Sequence, residues 1–265
     1  MRRFEGKVAL VTGGTTGIGL AAAQAFAREG AKVVIAARRA EIGELVVEDI
    51  KSSGGEAVFI RADMAVPADI ETLVRDTCEI YGRLDCAFNN AASPDGIFKS
   101  TADFTEEEYD CAMAANLKGV WLCMKHEINQ MLKQQPSGGT IVNTSSGNGL
   151  GGAQTGSLYS AAKAGVIALA KSAAQEYIRQ GIRINVLVPG YFETPMLDLV
   201  RNRASGGVQK NLDVLNNKVK ERVPAGRIGN PEEAAQAALW LCSDESSYVV
   251  GHSLIIDGGL TSPWR

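Results

Sequence analysis

The sequence predicts an α/β fold: one doubly wound parallel sheet of seven strands with helices on both faces, in a single domain. Three observations carry this reading. Short β-branched runs alternate with longer segments of helical apolar spacing. The runs are apolar almost end to end, as strands covered on both faces are. The first run passes through a glycine-rich turn directly into a helix-like segment, the pattern of a strand–helix–strand unit with a right-handed crossover.

In chain order the predicted strands are Lys7–Thr12, Lys32–Ala36, Ala57–Ile60, Leu84–Phe88, Thr140–Asn143, Ile184–Val188 and Ser253–Ile256. The first ends at Gly13, Gly17 and Gly19, which lead into a helix over Leu20–Arg28. The second ends at Ala37, Arg38 and Arg39. After the fourth comes Asn89-Asn90-Ala91-Ala92, and after the fifth Ser145-Ser146. An alanine-rich stretch with no proline before Pro189 predicts a helix carrying Tyr159 and Lys163. Their four-residue spacing puts phenol and ammonium on one helical face. The sixth strand runs to Pro189-Gly190. Tyr191 to Arg222 is irregular, with Ala204-Ser205-Gly206-Gly207 inside it, and is a candidate lid outside the carboxyl ends of the strands.

The chain has 265 residues, 45% of them hydrophobic and 22% charged, enough for a large core and without a linker that would split it. A net charge of −3 offers no basic field for nucleic acid or an anionic membrane, so a small-molecule partner is expected. Cys78, Cys86, Cys111, Cys123 and Cys242 are odd in number and never spaced Cys-x-x-Cys, which fits buried thiols in a reducing cytoplasm. Met1 to Gly6 runs into the first strand with no signal-peptide pattern, and no apolar run has bilayer length. His126 and His252 have no companions at metal-ligand spacing, so no metal is expected.

The turn Thr12-Gly13-Gly14-Thr15-Thr16-Gly17-Ile18-Gly19 follows a strand and opens a helix. A pyrophosphate needs backbone N–H groups at close range and the positive end of a helix, and side chains at these positions would block it. The spacing is Thr-Gly-x-x-x-Gly-x-Gly rather than the commoner Gly-x-Gly-x-x-Gly.

Taken together, the glycine turn, Asp63 in Arg61-Ala62-Asp63-Met64, Asn89 to Ala92, Asn116 in Ala115-Asn116-Leu117, Ser145-Ser146, Tyr159 with Lys163, Pro189-Gly190 with Thr194, and Asp257-Gly258-Gly259 form an ordered series. It resembles the short-chain dehydrogenase/reductase family, classical branch, over essentially the whole chain. Ala92 departs from the family's usual glycine. The resemblance implies a Rossmann-like fold over residues 1–265, with roughly 1–150 binding the cofactor, roughly 140–265 binding substrate and doing the chemistry, and the lid near 191–222. It implies cofactor contacts from Gly13, Thr15, Thr16, Gly17, Ile18, Gly19, Arg38, Asp63, Met64, Asn89, Ala91, Tyr159, Lys163, Pro189, Gly190 and Thr194. Among these, Asp63 is assigned to the adenine edge, Asn89 to the adenosine ribose, and the backbone near Val188 and Thr194 to the carboxamide. At the end of the second strand an acid would accept both ribose hydroxyls of NAD. Here Ala37 is followed by Arg38, whose guanidinium suits a 2′-phosphate, which favours NADP(H) and leaves NAD(H) as the alternative.

Hydride transfer to or from a carbonyl carbon requires one proton given or taken at oxygen. Tyr159 can do this if a neighbouring cation favours its phenolate, and Lys163 is that cation. The resemblance adds Ser146 as the hydrogen-bond partner of the substrate oxygen, with Ser145 the alternative if the register differs by one. It adds Asn116 as the holder of a water linking the lysine to solvent. Candidate substrate contacts are Ser93–Phe98, Asn148–Gln154, Tyr191, Phe192 and Met196–Val200, with Gly147, Gly149, Gly151 and Gly152 leaving room. Apolar walls suit a hydrophobic or alicyclic ketone or secondary alcohol.

The expected activity is therefore NAD(P)(H)-dependent interconversion of a secondary alcohol and a ketone. A sugar-nucleotide epimerase or dehydratase is the second reading, disfavoured because Thr16 stands where such enzymes place their middle glycine and the sequence ends soon after the last strand. An enoyl reductase would space Tyr and Lys further apart. A non-catalytic dinucleotide-binding regulator is the third reading, disfavoured because all four catalytic positions are filled. The family also implies a homo-oligomer, commonly a tetramer, through the helices containing Asn116 and Tyr159 and the C-terminal edge, where Trp240-Leu241-Cys242 and Leu260 to Arg265 offer apolar groups, although ordinary core packing explains Trp240 equally well.

Overall fold

The computed structural model describes residues 2–205, 217 and 219–262. Gly206 and Gly207 of the candidate lid, residues 208–216 and 218 beyond them, and Pro263, Trp264 and Arg265 lie outside the described residues. The strands are β1 (Val8–Thr12), β2 (Lys32–Ala37), β3 (Glu56–Arg61), β4 (Cys86–Asn89), β5 (Gly139–Thr144), β6 (Ile182–Pro189) and β7 (Ser253–Ile256). The helices that matter here are α1 (Gly17–Arg28), α2 (Ala40–Ser52), α3 (Pro67–Tyr81), α4 (Glu106–Met113), α5 (Gly119–Lys133), the short α6 (Asn148–Gly151), α7 (Ser157–Tyr177), α8 (Pro195–Ser205) and α9 (Pro231–Cys242).

All seven strands are parallel, in the order β3-β2-β1-β4-β5-β6-β7. The chain winds outward from β1 to β3, then returns to the other side of β1 at β4. That reversal leaves a crevice at the carboxyl ends of β1 and β4, where Thr12 and Asn89 are register partners.

The continuous apolarity of the strands is explained by two cores. Alternate residues point to opposite faces: Ala9, Val11, Val33 and Ile35 join Phe26 and Leu239 of α1 and α9, while Leu10 and Val34 join Leu73 of α3 and Met124 and Ile128 of α5. Alanines Ala21, Ala22, Ala25, Ala234, Ala235 and Ala238 line the seam where α1 and α9 pack closely. Leu241 and Cys242 are buried in that core with Trp240 packed against it, the core alternative of the sequence reading.

Every predicted strand is present, with no end shifted by more than two residues and the seventh, Ser253–Ile256, unchanged. At β4 the predicted Leu84 falls outside the strand because side chains replace the ladder. Gln134 Oε1 accepts the Leu84 N–H at 3.0 Å, and the Asp85 carboxylate accepts the Val8 N–H at 2.9 Å. α1 begins at Gly17, three residues earlier than predicted, because the glycine turn is itself the first helical turn, with Leu20 N–H donating to Thr16 O at 3.2 Å.

Candidate active site

A cavity of about 650 Å³ opens at the carboxyl ends of β1, β4, β5 and β6, partly under α8. Gly13 and Gly17, with φ of 66° and 54°, take the left-handed turn that brings α1 toward it. Thr12 Oγ1 accepts the N–H groups of Asn90 and Ala91 at 3.0 and 3.1 Å, tying the β4 end to the turn. At Gly19 the packing is tighter still, since a Cβ there would stand 2.2 Å from Gly13 O.

The amino end of α1 has no side-chain cap and no acid in its first turn. By contrast, α4 is closed by Thr105 in a capping box and carries Glu106, Glu107 and Glu108. The uncapped N–H groups and the positive end of the α1 dipole therefore face the cavity without competition, a fit to the pyrophosphate of a dinucleotide.

On the opposite wall, α7 presents Tyr159 and Lys163, 7% and 0% exposed. Lys163 Nζ donates to Thr144 O at 3.0 Å and lies 5.7 Å from the Tyr159 ring centroid. An ammonium has three donors, and this one lines the cavity with a single protein partner among the described residues. Ser145 and Ser146 divide cleanly. Ser145 Oγ donates to Lys163 O at 2.7 Å and braces α7 against β5, whereas Ser146 is in hydrogen-bonding reach of the Tyr159 phenol and accepts the Asn148 N–H at 3.2 Å.

The electrostatics differ from the sequence expectation. Burial pushes the Tyr159 phenol up to about 12, with the Ser146 hydrogen bond opposing it, and burial pulls Lys163 down to about 8. Desolvation disfavours both charged forms and outweighs any help the ammonium gives the phenolate. In this protein alone, Tyr159 is a neutral proton donor.

Asn116 is fully buried in a π-helical turn, Ala114–Lys118, between α4 and α5. Its Oδ1 accepts the Ser93 N–H at 3.0 Å and its Nδ2 donates to Ser93 O at 3.1 Å, so both ends of the amide anchor the loop after β4. It does not line the cavity.

Of the residues expected to hold a cofactor, Gly13, Thr16, Gly17, Ile18, Ala91, Tyr159, Lys163, Pro189, Gly190 and Thr194 line the cavity. Thr15, Gly19, Arg38, Asp63, Met64 and Asn89 do not. Asp63 Oδ1 accepts the Ala65 N–H at 2.9 Å, and Met64 is buried beside Cys123. Asn89, expected beside the ribose, turns its carboxamide inward to Glu127 and Asn143 at 2.9 and 3.0 Å. The next residue, Asn90, is the one on the cavity wall. Sequence reasoning also missed Thr144, Leu260 and Thr261 in the lining; the carbonyl of Thr144 carries no sequence signal at all.

Ile97, Leu150, Tyr191, Phe192, Met196 and Leu197 form an apolar side of the cavity, with Met196 Sδ 4.0 Å from the Tyr159 hydroxyl. Among the described residues that line it, Lys163 is the sole charged side chain. No group of three or more His, Cys, Asp or Glu among the described residues is placed to hold a metal ion.

A family model described as enoyl-(acyl carrier protein) reductase matches residues 13–261. The chain is 40% identical over 262 residues to 2,5-dichloro-2,5-cyclohexadiene-1,4-diol dehydrogenase of Sphingobium indicum, covering 99% of this chain and 100% of that one. It is 37% identical over 260 residues to cyclohexanol dehydrogenase of an Acinetobacter species, covering 98% and 97%. The solved structure of levodione reductase superposes with a TM-score of 0.92 at 35% identity, over 99% of this chain and 100% of that one.

Proposed function

The chain belongs to the short-chain dehydrogenase/reductase family, in its classical compact branch, and on that premise we propose that Tyr159 is its general acid and base, assisted by Ser146, Lys163 and Asn116. The protein is an oxidoreductase that interconverts an alcohol and a ketone. Members of the family use NAD(H) or NADP(H), and when bound the nicotinamide supplies or accepts the hydride. The observation that carries the assignment is the buried Tyr159–Lys163 pair facing an uncapped, acid-free helix start across one cavity.

In carbonyl reduction Ser146 Oγ donates to the substrate oxygen, and the Tyr159 hydroxyl passes its proton to that oxygen as charge develops there. In alcohol oxidation the same phenolic oxygen accepts the proton. Lys163, fixed by Thr144 O, supplies positive charge beside the phenol and would hold the nicotinamide ribose of a bound cofactor. Asn116 fixes the Ser93 loop and takes its place in the proton relay. The residues that would hold the dinucleotide are Gly13 to Gly19, Asn90, Ala91, Pro189, Gly190 and Thr194 around the cavity, with Asp63 and Met64 toward the adenine end. Roughly residues 1–150 do this binding and roughly 140–265 the chemistry, with α8 at the start of the lid near 191–222.

The apolar side of the cavity, and the cyclic alcohols in the relatives' names, support an uncharged alicyclic ketone or secondary alcohol as substrate. The test is cofactor absorbance change across a panel of cyclic and acyclic ketones, secondary alcohols, aldehydes and sugars. A response confined to sugars or carboxylated substrates would overturn the substrate class. No response from any carbonyl, with nucleotide bound, would favour the regulator reading.

NADP(H) is the preferred cofactor in this reading. Arg38 is exposed just past β2, no partner among the described residues engages its guanidinium, and Ala37 stands where an acid would repel a 2′-phosphate. NADPH is expected to bind more tightly than NADH. Arg38→Ala should weaken NADPH by about 10–100-fold, the worth of a charge-assisted hydrogen bond, and leave NADH almost unchanged. Fluorescence titration checks this, and tighter NADH binding in the parent protein would reverse the assignment.

No helix among the described residues is long and apolar enough to cross a membrane. The five free cysteines support a cytoplasmic setting. Half-exposed Tyr109 and Trp121 on α4 and α5, and Tyr248 and Ile255 beside the β7 edge, support a homo-oligomer, a tetramer if both surfaces pair. Light scattering on the purified protein tests it.

A further inference from the structure

Beneath the cavity, an acidic side chain outside the catalytic set is completely enclosed. Glu127 on α5 is 0% exposed. Its Oε2 accepts Asn89 Nδ2–H at 2.9 Å, and the same amide nitrogen donates to Asn143 Oδ1 at 3.0 Å. Among the described residues, two buried oxygens in this cluster have no partner, Glu127 Oε1 and Asn89 Oδ1. They belong to the very two side chains already joined by the 2.9 Å bond.

A carboxylate and an amide carbonyl are both acceptors and cannot satisfy one another, whereas a carboxylic acid has a donor to offer. Leaving two buried acceptors unpaired is costly, and one proton on Glu127 removes both orphans. Among the described residues no cation faces the carboxyl to hold it ionised. From β4 it meets Asn89, whose amide also bonds Asn143 of β5; on its own helix the titratable neighbour is Cys123, whose buried thiol is pushed well up and stays neutral. Consistently, burial raises Glu127 to about 8, with the Asn89 bond opposing.

We propose that Glu127 is a positioning residue that works as a neutral acid, its O–H donating to Asn89 Oδ1 while its other oxygen accepts Asn89 Nδ2–H, clamping the ends of β4 and β5 from below. Asn89 immediately precedes Asn90 and Ala91, whose N–H groups are tied to Thr12 beside the glycine turn. Asn143 immediately precedes Thr144, whose carbonyl holds Lys163. The clamp therefore underlies both the dinucleotide turn and the catalytic lysine. Proton loss turns the donor into an acceptor and opens it.

The sign of the pH dependence follows from the raised value. The folded protein keeps its proton between the usual 4.5 and about 8, where the unfolded chain has lost it, so stability falls as pH rises through that window and levels off above it. Glu127→Gln reproduces both hydrogen bonds with an amide that does not ionise.

The experiment compares wild type with Glu127→Gln in three ways: infrared spectra at pH 7, thermal midpoints from pH 5 to 9, and NADPH dissociation constants from pH 6.5 to 9. We expect a protonated-carboxyl band that the variant lacks, and a midpoint margin in the variant's favour that widens from pH 5 to 8. The wild-type dissociation constant should rise about tenfold relative to the variant's one unit above the carboxyl's value, as the competent fraction falls. Lys163 titrates in both proteins, so the ratio isolates Glu127. A variant less stable at pH 5, a pH-independent margin, a flat affinity ratio, or no such band would overturn the proposal. The affinity arm rests on the dinucleotide reading, while the spectra and midpoints need no nucleotide. Failure of NADPH to bind at any pH would thus sink that reading and leave the clamp to be decided by the other two.

Discussion

Tyr159→Phe will lower turnover by about 10²–10⁴-fold or more in either direction, the contribution of a positioned general acid or base, while NADPH binds as before. The substitution removes one hydroxyl whose neighbours are the Ser146 hydroxyl and Met196 Sδ at 4.0 Å, so it leaves no charged or backbone group unpaired. Stability should change by no more than about 1 kcal/mol, the net worth of an ordinary hydrogen bond. The check is steady-state cofactor absorbance together with the thermal shift that nucleotide induces. Turnover within about tenfold of wild type, far inside the range general acid–base loss implies, would remove Tyr159 from its role. The same reasoning sets a pH signature for the parent protein. Because burial holds the phenol at about 12, carbonyl reduction has its proton donor in place at neutral pH, while alcohol oxidation needs the phenolate and should quicken as pH rises above 7.

The Tyr159–Lys163 neighbourhood was legible because it is written in residue type and spacing: a phenol and an amine four apart on a helix are neighbours however that helix packs. The strands were legible for a related reason, since apolar runs covered on both faces need no partner to be recognised. That same continuity hid the face each strand residue takes. Leu84–Phe88 shows no alternation from which to set parity, so nothing distinguished Asn89, which points under the sheet, from Asn90, which reaches the cavity. Glu127 was illegible for a different reason. An acid among Lys125, His126 and Gln130 on an amphipathic helix reads as solvated, and only the packing of α5 on β4 and β5 shows that it is enclosed. The pKa pattern of the site also escaped, because the charge of Lys163 is visible in sequence while the desolvation that opposes it is a property of the folded cavity.

Gly19→Ala should abolish the nucleotide-induced thermal shift and lower stability by about 1–3 kcal/mol, the usual cost of forcing a carbon into filled space. The added Cβ would lie 2.2 Å from Gly13 O and 2.6 Å from Asn90 Nδ2. The first of these is backbone, so relief requires moving the turn, and the turn is what aims the free N–H groups of α1 at the cavity. Gly13 in turn rests against the Ala91 backbone, with Cα 2.9 Å from where its own Cβ would be, so the displacement is passed on to the β4 end. Gly151→Ala is the contrasting case. A Cβ there meets nothing within 4 Å and the residue closes the short helix α6, so stability should be unchanged or up to about 1 kcal/mol higher. At a nucleotide concentration of about 100 times the dissociation constant, the parent protein gains about 2.7 kcal/mol from binding, a shift easily seen in a melting curve. If Gly19→Ala retained that full gain, the glycine turn would not be where the dinucleotide binds, and the cofactor would have to be placed elsewhere along the cavity.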